Sequence, residues 1–156
     1  METGRRGEGV KINQISLFLE NEPGHLASIC RVLGDAGINI VTLSLADTTQ
    51  FGIVRLIVDD WRKAKRVLEE SGRVVRVTEV VATQVDDRPG GLAIVLEMLA
   101  ARGIDIEYMY AFTFKCGDRA TLVFRFDRPD AAIDCLREGN IGALSEDELL
   151  RQAHGR

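Results

Sequence analysis

The chain has 156 residues, 46% of them hydrophobic, with 24 acidic against 20 basic side chains and a formal charge of −4, which excludes disordered, collagenous and coiled-coil classes. No apolar run approaches the roughly 20 residues of a bilayer span, and residues 1–11 lack the apolar core of a signal peptide, so a cytoplasmic location is expected. Cys30, Cys116 and Cys135, an odd number without a Cys-x-x-Cys pair, argue against a disulfide framework or a zinc site, and the acidic balance suits neither nucleic-acid phosphates nor an anionic membrane.

In chain order, Gln14 to Glu20 alternates, with Ile15, Leu17 and Leu19 on one side, and predicts a strand. Pro23 suits the first position of a helix, where a missing N–H costs nothing. Leu26, Ile29, Cys30 and Leu33 then form an apolar stripe at helical spacing, closed by Gly37 as a left-handed cap. Ile38 to Ala46 and Phe51 to Val58 predict a hairpin around the polar break Asp47 to Gln50. A helix from about Asp60 to Ser71, with Ala64, Val67 and Leu68 inward, and a strand at Val74 to Val77 complete a βαββαβ order.

The order then recurs. Pro23 to Ile40 lies over Pro89 to Ile106 at an offset of 66, with eight of 18 positions identical; such self-similarity decides the architecture. After a two-residue insertion Asp59 lies over Asp127, Ala64 over Ala132 and Leu68 over Leu136. The second copy predicts strands near Val80 to Val85, Ile104 to Phe114 and Ala120 to Phe126, helices Pro89 to Arg102 and Pro129 to Arg137, and a short strand at Ile141 to Leu144. The fold class is α+β: two ferredoxin-like units, each an antiparallel sheet with its helices on one face. The expected domains are 12–79 and 80–150, with a flexible tail at 1–11 and a polar tail at 151–156. A unit of about 70 residues is marginal alone, and Ile38 to Leu45 is apolar on both faces, so the copies are expected to pack together and the chains to form homodimers.

Catalytic residues are scarce. His25 opens the first helix, either towards solvent or towards a ligand, and Gly91 takes its place in the second copy; His154 lies in the tail. No nucleophile–base–orienter set emerges, so no enzyme activity, cofactor or metal is expected. The repeated polar loop does ask for a reason: Asn21-Glu22-Pro23-Gly24-His25-Leu26 is echoed by Asp87-Arg88-Pro89-Gly90-Gly91-Leu92. It either simply starts a helix, or lets a carboxylate reach the backbone where N–H groups lack acceptors. Asn39 and Asp105 each follow their Pro by 16 residues, as turn formers or as ligand groups; an asparagine both donates and accepts.

The doubled N-E-P-G-x-L and G-I-N-I pattern on a unit of this length resembles the ACT domain, a regulatory module that commonly binds amino acids. The resemblance implies a site between two side-by-side units, using Asn21, Gly24, His25, Leu26, Asn39 and Ile40 in the first copy and Asp87, Gly90, Gly91, Leu92 and Asp105 in the second. Asp87 and Asp105 replace amides by carboxylates, which repel a ligand carboxylate but hold an ammonium. It implies a non-enzymatic sensor of a free amino acid acting on an enzyme of amino-acid metabolism; the alternative is a ligand-free subunit that only dimerises or docks on such an enzyme.

Two further features have bland readings. Tyr108, Tyr110 and Phe112 share the parity of Ile104 and Ile106 and are expected in the core rather than as a base-stacking platform. Arg62, Lys63, Lys65 and Arg66 read as a solvated helix face.

Overall fold

The computed structural model describes residues 8–20, 22–47 and 51–155, except the side chains of residues 8 and 113–116. The expected break at 47–50 therefore lies, beyond Asp47 itself, outside the described residues. The chain divides into a unit of residues 13–78 and a unit of residues 79–155 to which 8–12 belong. The elements are β1 (Lys11–Glu20), α1 (His25–Asp35), β2 (Ile40–Asp47), β3 (Phe51–Val58), α2 (Trp61–Glu70), β4 (Arg76–Asp86), α3 (Gly91–Ala101), β5 (Ile106–Cys116), β6 (Arg119–Phe126), α4 (Pro129–Glu138), β7 (Ala143–Leu144) and α5 (Glu146–His154). No described helix is long and apolar enough to cross a membrane.

In the first unit the strands run β2-β3-β1, all antiparallel, with Leu17 opposite Val54 and Leu43 opposite Leu56. Ile15, Leu17, Val54, Leu56 and Val58 meet Ile29 and Leu33 of α1 and Ala64 and Leu68 of α2, so the period-two and period-3.6 patterns converge on one core. Asp60 caps α2, its carboxylate accepting from the Lys63 backbone N–H at 3.1 Å. The Lys63 ammonium donates to the Ala36 carbonyl at 2.7 Å, satisfying an acceptor just past the end of α1. The other basic residues of α2 face outward: Lys65 pairs with Glu69 at 2.8 Å and Arg62 stacks on Trp61.

The second unit orders β5-β6-β4-β7. Val81, Val85, Leu122, Phe124 and Phe126 pack against Val95 and Leu99 of α3 and Ala132, Ile133, Cys135 and Leu136 of α4. The expected strands at Val74 to Val77 and Val80 to Val85 merge into a single strand, β4, which starts only at Arg76 and leaves Val74 and Val75 before it, because nothing between them favours a turn. In β5 a register shift between Ile106 and Tyr108 sets Met109 opposite Phe124 and Tyr108 opposite Arg125. That bulge reverses the parity on which a core position was expected: Ile104, Ile106 and Met109 join the helix-side core, while Tyr108 and Tyr110 stay half-buried outside it and Phe112 is buried, as expected, but not in that core. Leu43 and Leu45, expected in a strand buried on both sides, are 41% and 52% exposed on the edge strand β2.

Both expected tails carry structure. Ser145 accepts from the Glu148 N–H while the Glu148 carboxylate accepts from Ser145, a capping box that starts α5 and carries it past residue 151. Leu149 is fully buried. By strand alternation Gln84 faces away from Val85, and it donates to Gln152 at 3.2 Å, so α5 lies on the face opposite α3 and α4. Helices on one face thus describe α1 to α4 but not α5.

At the other end Glu8–Val10 forms a 3₁₀ turn and Val10 packs against the second unit's core. Lys11 lies 2.9 Å from Asp130 in the first turn of α4 and 3.7 Å from Glu79. Its hydrogen bond to Asp130 raises its pKa from 10.5; desolvation opposes this, and the charges of Asp130 and Glu79 add to it. A raised pKa gives stabilisation that is complete below the unfolded value and lost as pH rises through the folded one. Because Asp130 and Glu79 are largely exposed, Lys11→Met is expected to cost under about 1 kcal/mol at pH 7 and to lessen the loss of stability above pH 10. Urea unfolding at pH 7 and pH 11 measures both.

Candidate functional site

Each Pro-Gly step builds the same turn. Gly24 has φ 92° and ψ −13°, and Gly90 has φ 83° and ψ −6°. The N–H of His25 returns to the Glu22 carbonyl at 3.5 Å, and that of Gly91 to the Arg88 carbonyl at 2.9 Å. These are type II turns, with proline at the second position and a left-handed glycine at the third. Pro23 and Pro89 therefore precede α1 and α3 rather than opening them. A fixed φ near −65° serves either role, which is why the sequence alone pointed to the first helical position. Neither N-cap residue, Gly24 or Gly90, has a side chain to cap its helix, so the positive end of the helix dipole and the first-turn N–H groups beyond those of His25 and Gly91 can serve another partner.

A cleft opens beside each turn. In the first unit it has a volume of about 820 Å³ and runs between Phe18, Leu19 and Glu20 of β1, His25, Ser28 and Ile29 of α1, and residues 71–74 after α2. Arg73 donates to Ser28 Oγ at 2.6 Å and to Ser71 Oγ at 2.7 Å. Two serines thus hold the guanidinium in place while leaving donors for a ligand. Phe18 and Val74 line the cleft and are 67% and 86% exposed. The second unit repeats the place with Gln84, Val85 and Asp86 of β4, Gly91, Ile94 and Val95 of α3, and Gly139, Asn140 and Ile141 after α4, enclosing about 240 Å³. Ile94 stands where the first unit has Ser28, and Ile141 where it has Arg73, so the guanidiniums that line the second cleft, Arg88 and Arg119, come instead from the turn and from β6 and face Asp86.

Glu20, Glu22 and His25 gather at the first turn, one potential ligand atom from each lying within 4.8 Å of the others. His25 Nε2 is 3.4 Å from Glu22 Oε2. At the second turn Asp86 is instead paired with Arg88 at 3.3 Å and approached by Arg119 at 4.0 Å.

The family model of the ACT domain pair matches residues 10–153. This chain belongs to the ACT domain pair family. Among solved structures, protein BT0572 from Bacteroides thetaiotaomicron is 37% identical with a TM-score of 0.84, over 90% of this chain and 96% of that one. The regulatory subunit of aspartate kinase from Thermus thermophilus is 18% identical with a TM-score of 0.61, over 83% and 93%. That from Thermus flavus is 16% identical with a TM-score of 0.58, over 84% and 94%. At these lower identities the likeness is one of fold. No curated protein matches the sequence.

Within this ACT pair the expected site residues separate. His25 and Gly91 line the clefts, and Gly24 and Gly90 form the turns beside them. Leu26 and Leu92 pack against their cores, leaving only their backbone to a ligand. Asn21 lies outside the described residues, and the Asp87 N–H donates to the Asp118 carbonyl at 2.9 Å. Asn39 and Asp105 lie past the far ends of α1 and α3, helices of 11 residues and so about 16 Å long. Each makes a reciprocal clasp: the Asn39 N–H donates to the Asp59 carboxylate at 3.1 Å and the Asp59 N–H to the Asn39 carbonyl at 3.2 Å, with 3.0 and 3.2 Å for Asp105 and Asp127. Ile40, beside Asn39, packs against the first core. Arg73, Ser28 and Ser71 were not anticipated, because Arg73 meets a serine 45 positions earlier and only the folded chain brings them together.

Proposed function

We propose that this ACT domain pair is a non-enzymatic, cytoplasmic regulatory protein that binds a free amino acid in the cleft of its first unit. The observation that carries this reading is the Arg73 guanidinium, positioned by Ser28 and Ser71 in a cleft beside an uncapped helix N-terminus. A carboxylate gains charge-assisted hydrogen bonds there. Glu20 and Glu22 suit an ammonium, and Phe18, Ile29 and Val74 an apolar side chain. The second cleft, smaller and with the guanidiniums of Arg88 and Arg119 turned to Asp86, is assigned no carboxylate of its own, and Asp87 and Asp105 would repel one.

In this reading Asn39 and Ile40 serve a site on a second copy of the chain, since their own turn lies a helix length away. Occupancy then favours one arrangement of the dimer by at most its differential affinity, typically about 1–3 kcal/mol, and an enzyme of amino-acid metabolism reads the outcome. The two Thermus proteins of similar fold are regulatory subunits of aspartate kinase, which supports that choice of partner. No cofactor, nucleic acid or membrane enters the reading. A second reading, a ligand-free docking or dimerisation subunit, rests on the exposed Leu43 and Leu45 of edge strand β2.

A thermal-shift screen against the twenty amino acids at millimolar concentration, followed by calorimetric titration of any hit, tests the proposal. A ligand at 100 times its dissociation constant stabilises by about 2.7 kcal/mol. Silence across the panel would overturn the sensor and leave the docking subunit.

A further inference from the structure

We propose that the first turn also carries a site for one divalent transition-metal ion, ligated by Glu20, Glu22 and His25. The chain path brings the three together within six residues. The type II turn places Glu22 and His25 at its two ends, and the Glu22 N–H folds back on the Glu20 carbonyl at 2.8 Å. Ligand atoms about 2.1 Å from a tetrahedral ion lie about 3.4 Å apart; His25 Nε2 and Glu22 Oε2 already have that separation. The Glu20 carboxylate, within 4.8 Å of both, needs only a small side-chain rotation to close the set. Two carboxylates and an imidazole suit Mn²⁺, Fe²⁺, Co²⁺ or Zn²⁺, and three ligands leave positions open for water.

The second turn is an internal control with the same backbone. Of the three positions that match Glu20, Glu22 and His25 it keeps one carboxylate, Asp86, and approaches it with the guanidiniums of Arg88 and Arg119. Arg88 occupies the place of Glu22. Arg119 is the strand partner of Asp86, as Phe51 is of Glu20. The first turn has thus exchanged two fixed cations for a carboxylate and a phenyl ring, and placed an imidazole where the second has Gly91. Among the described residues no lysine or arginine pairs with Glu20 or Glu22, whereas a doubly charged ion balances both carboxylates.

The experiment titrates the chelator-treated full chain, without amino acid, with Zn²⁺, Mn²⁺ and Mg²⁺ by calorimetry. One equivalent of Zn²⁺ or Mn²⁺ is expected to bind, more tightly than Mg²⁺. Glu22→Gln and His25→Ala should each weaken binding at least about tenfold, since even the loss of a group that only orients a ligand commonly costs about 10- to 100-fold, while His154→Ala leaves it unchanged. Absence of saturable binding, or binding that survives both variants, would overturn the site. Co²⁺ bound to the unsubstituted chain supplies a check that needs no variant: weak visible bands of nitrogen and oxygen ligation are expected, and a thiolate charge-transfer band would place the ion on a cysteine instead. Because the ion is titrated alone, its failure leaves the amino-acid proposal standing, and the failure of the amino-acid screen leaves the ion.

Discussion

Arg73→Ala is expected to weaken binding of the amino acid identified by the screen by about 10- to 150-fold. The range follows from the 1.5–3 kcal/mol typical of hydrogen bonds to a charged group. Arg73 donates to two hydroxyls whose other interactions are with solvent or their own chain. Its removal therefore empties the carboxylate subsite without opening the core, and stability of the free protein should change by under about 1 kcal/mol. Arg73→Lys should restore little, because a point-charge ammonium cannot span Ser28, Ser71 and a carboxylate in the plane a guanidinium provides. Calorimetric titration of the three proteins reads the affinities, and their melts without ligand read stability. Unchanged affinity in Arg73→Ala would remove the first cleft from the binding reaction.

The largest effect on the fold is expected from Gly91→Ala. A Cβ there would stand 2.0 Å from the Asp86 carbonyl oxygen and 3.0 Å from its carbon. Those are backbone atoms at the end of β4, so neither a rotamer change nor a flexible side chain can relieve the clash. Either the turn or the strand end must move, and a cost of about 3 kcal/mol is expected, at the upper end of ordinary overpacking. For a chain of this size that lowers the melting temperature by about 6–12 °C. His25→Ala, at the matching place in the first unit, should shift it far less, since that side chain is already half-exposed. Equal melting of the two variants would show that the second turn relaxes around an added methyl group.

The contrast between these positions shows what a sequence makes legible. The repeat at offset 66, with insides marked by Leu17, Leu33, Leu68, Leu99 and Leu136, carried the number of units, the order of elements and the helix-side cores, because burial on one face imposes a period that survives in the letters. Gly91 was visible only as a missing histidine; that it must be glycine depends on a carbonyl five residues earlier approaching in space. The β5 bulge was hidden because nothing in Ile106-Glu107-Tyr108 marks a shift of register. Pro23 was compatible with two turn geometries, and the hydrogen bond from His25 to Glu22 decided between them. The start of α5 was different: Ser145 with Glu148 three residues on, followed by Leu149, is a readable capping signature inside the expected second domain, yet no helix was expected there. The candidate site was half legible. Its turn stands in the motif, whereas its guanidinium arrives from the far side of α2.

A homodimer of single repeats would present two identical turns by symmetry, and any change in one would appear in both. Joining two repeats in one chain releases that constraint. Here the two turns differ in opposite directions: Arg88 and Arg119 meet Asp86 at the second, where Gly91 leaves no room for a side chain, while the first keeps its acidic residues, its histidine and its larger cleft. The two turns of this chain are therefore unequal where those of a single-repeat homodimer would be identical. If the first cleft is the amino-acid site, the isotherm for that ligand should accordingly be that of one occupant per chain.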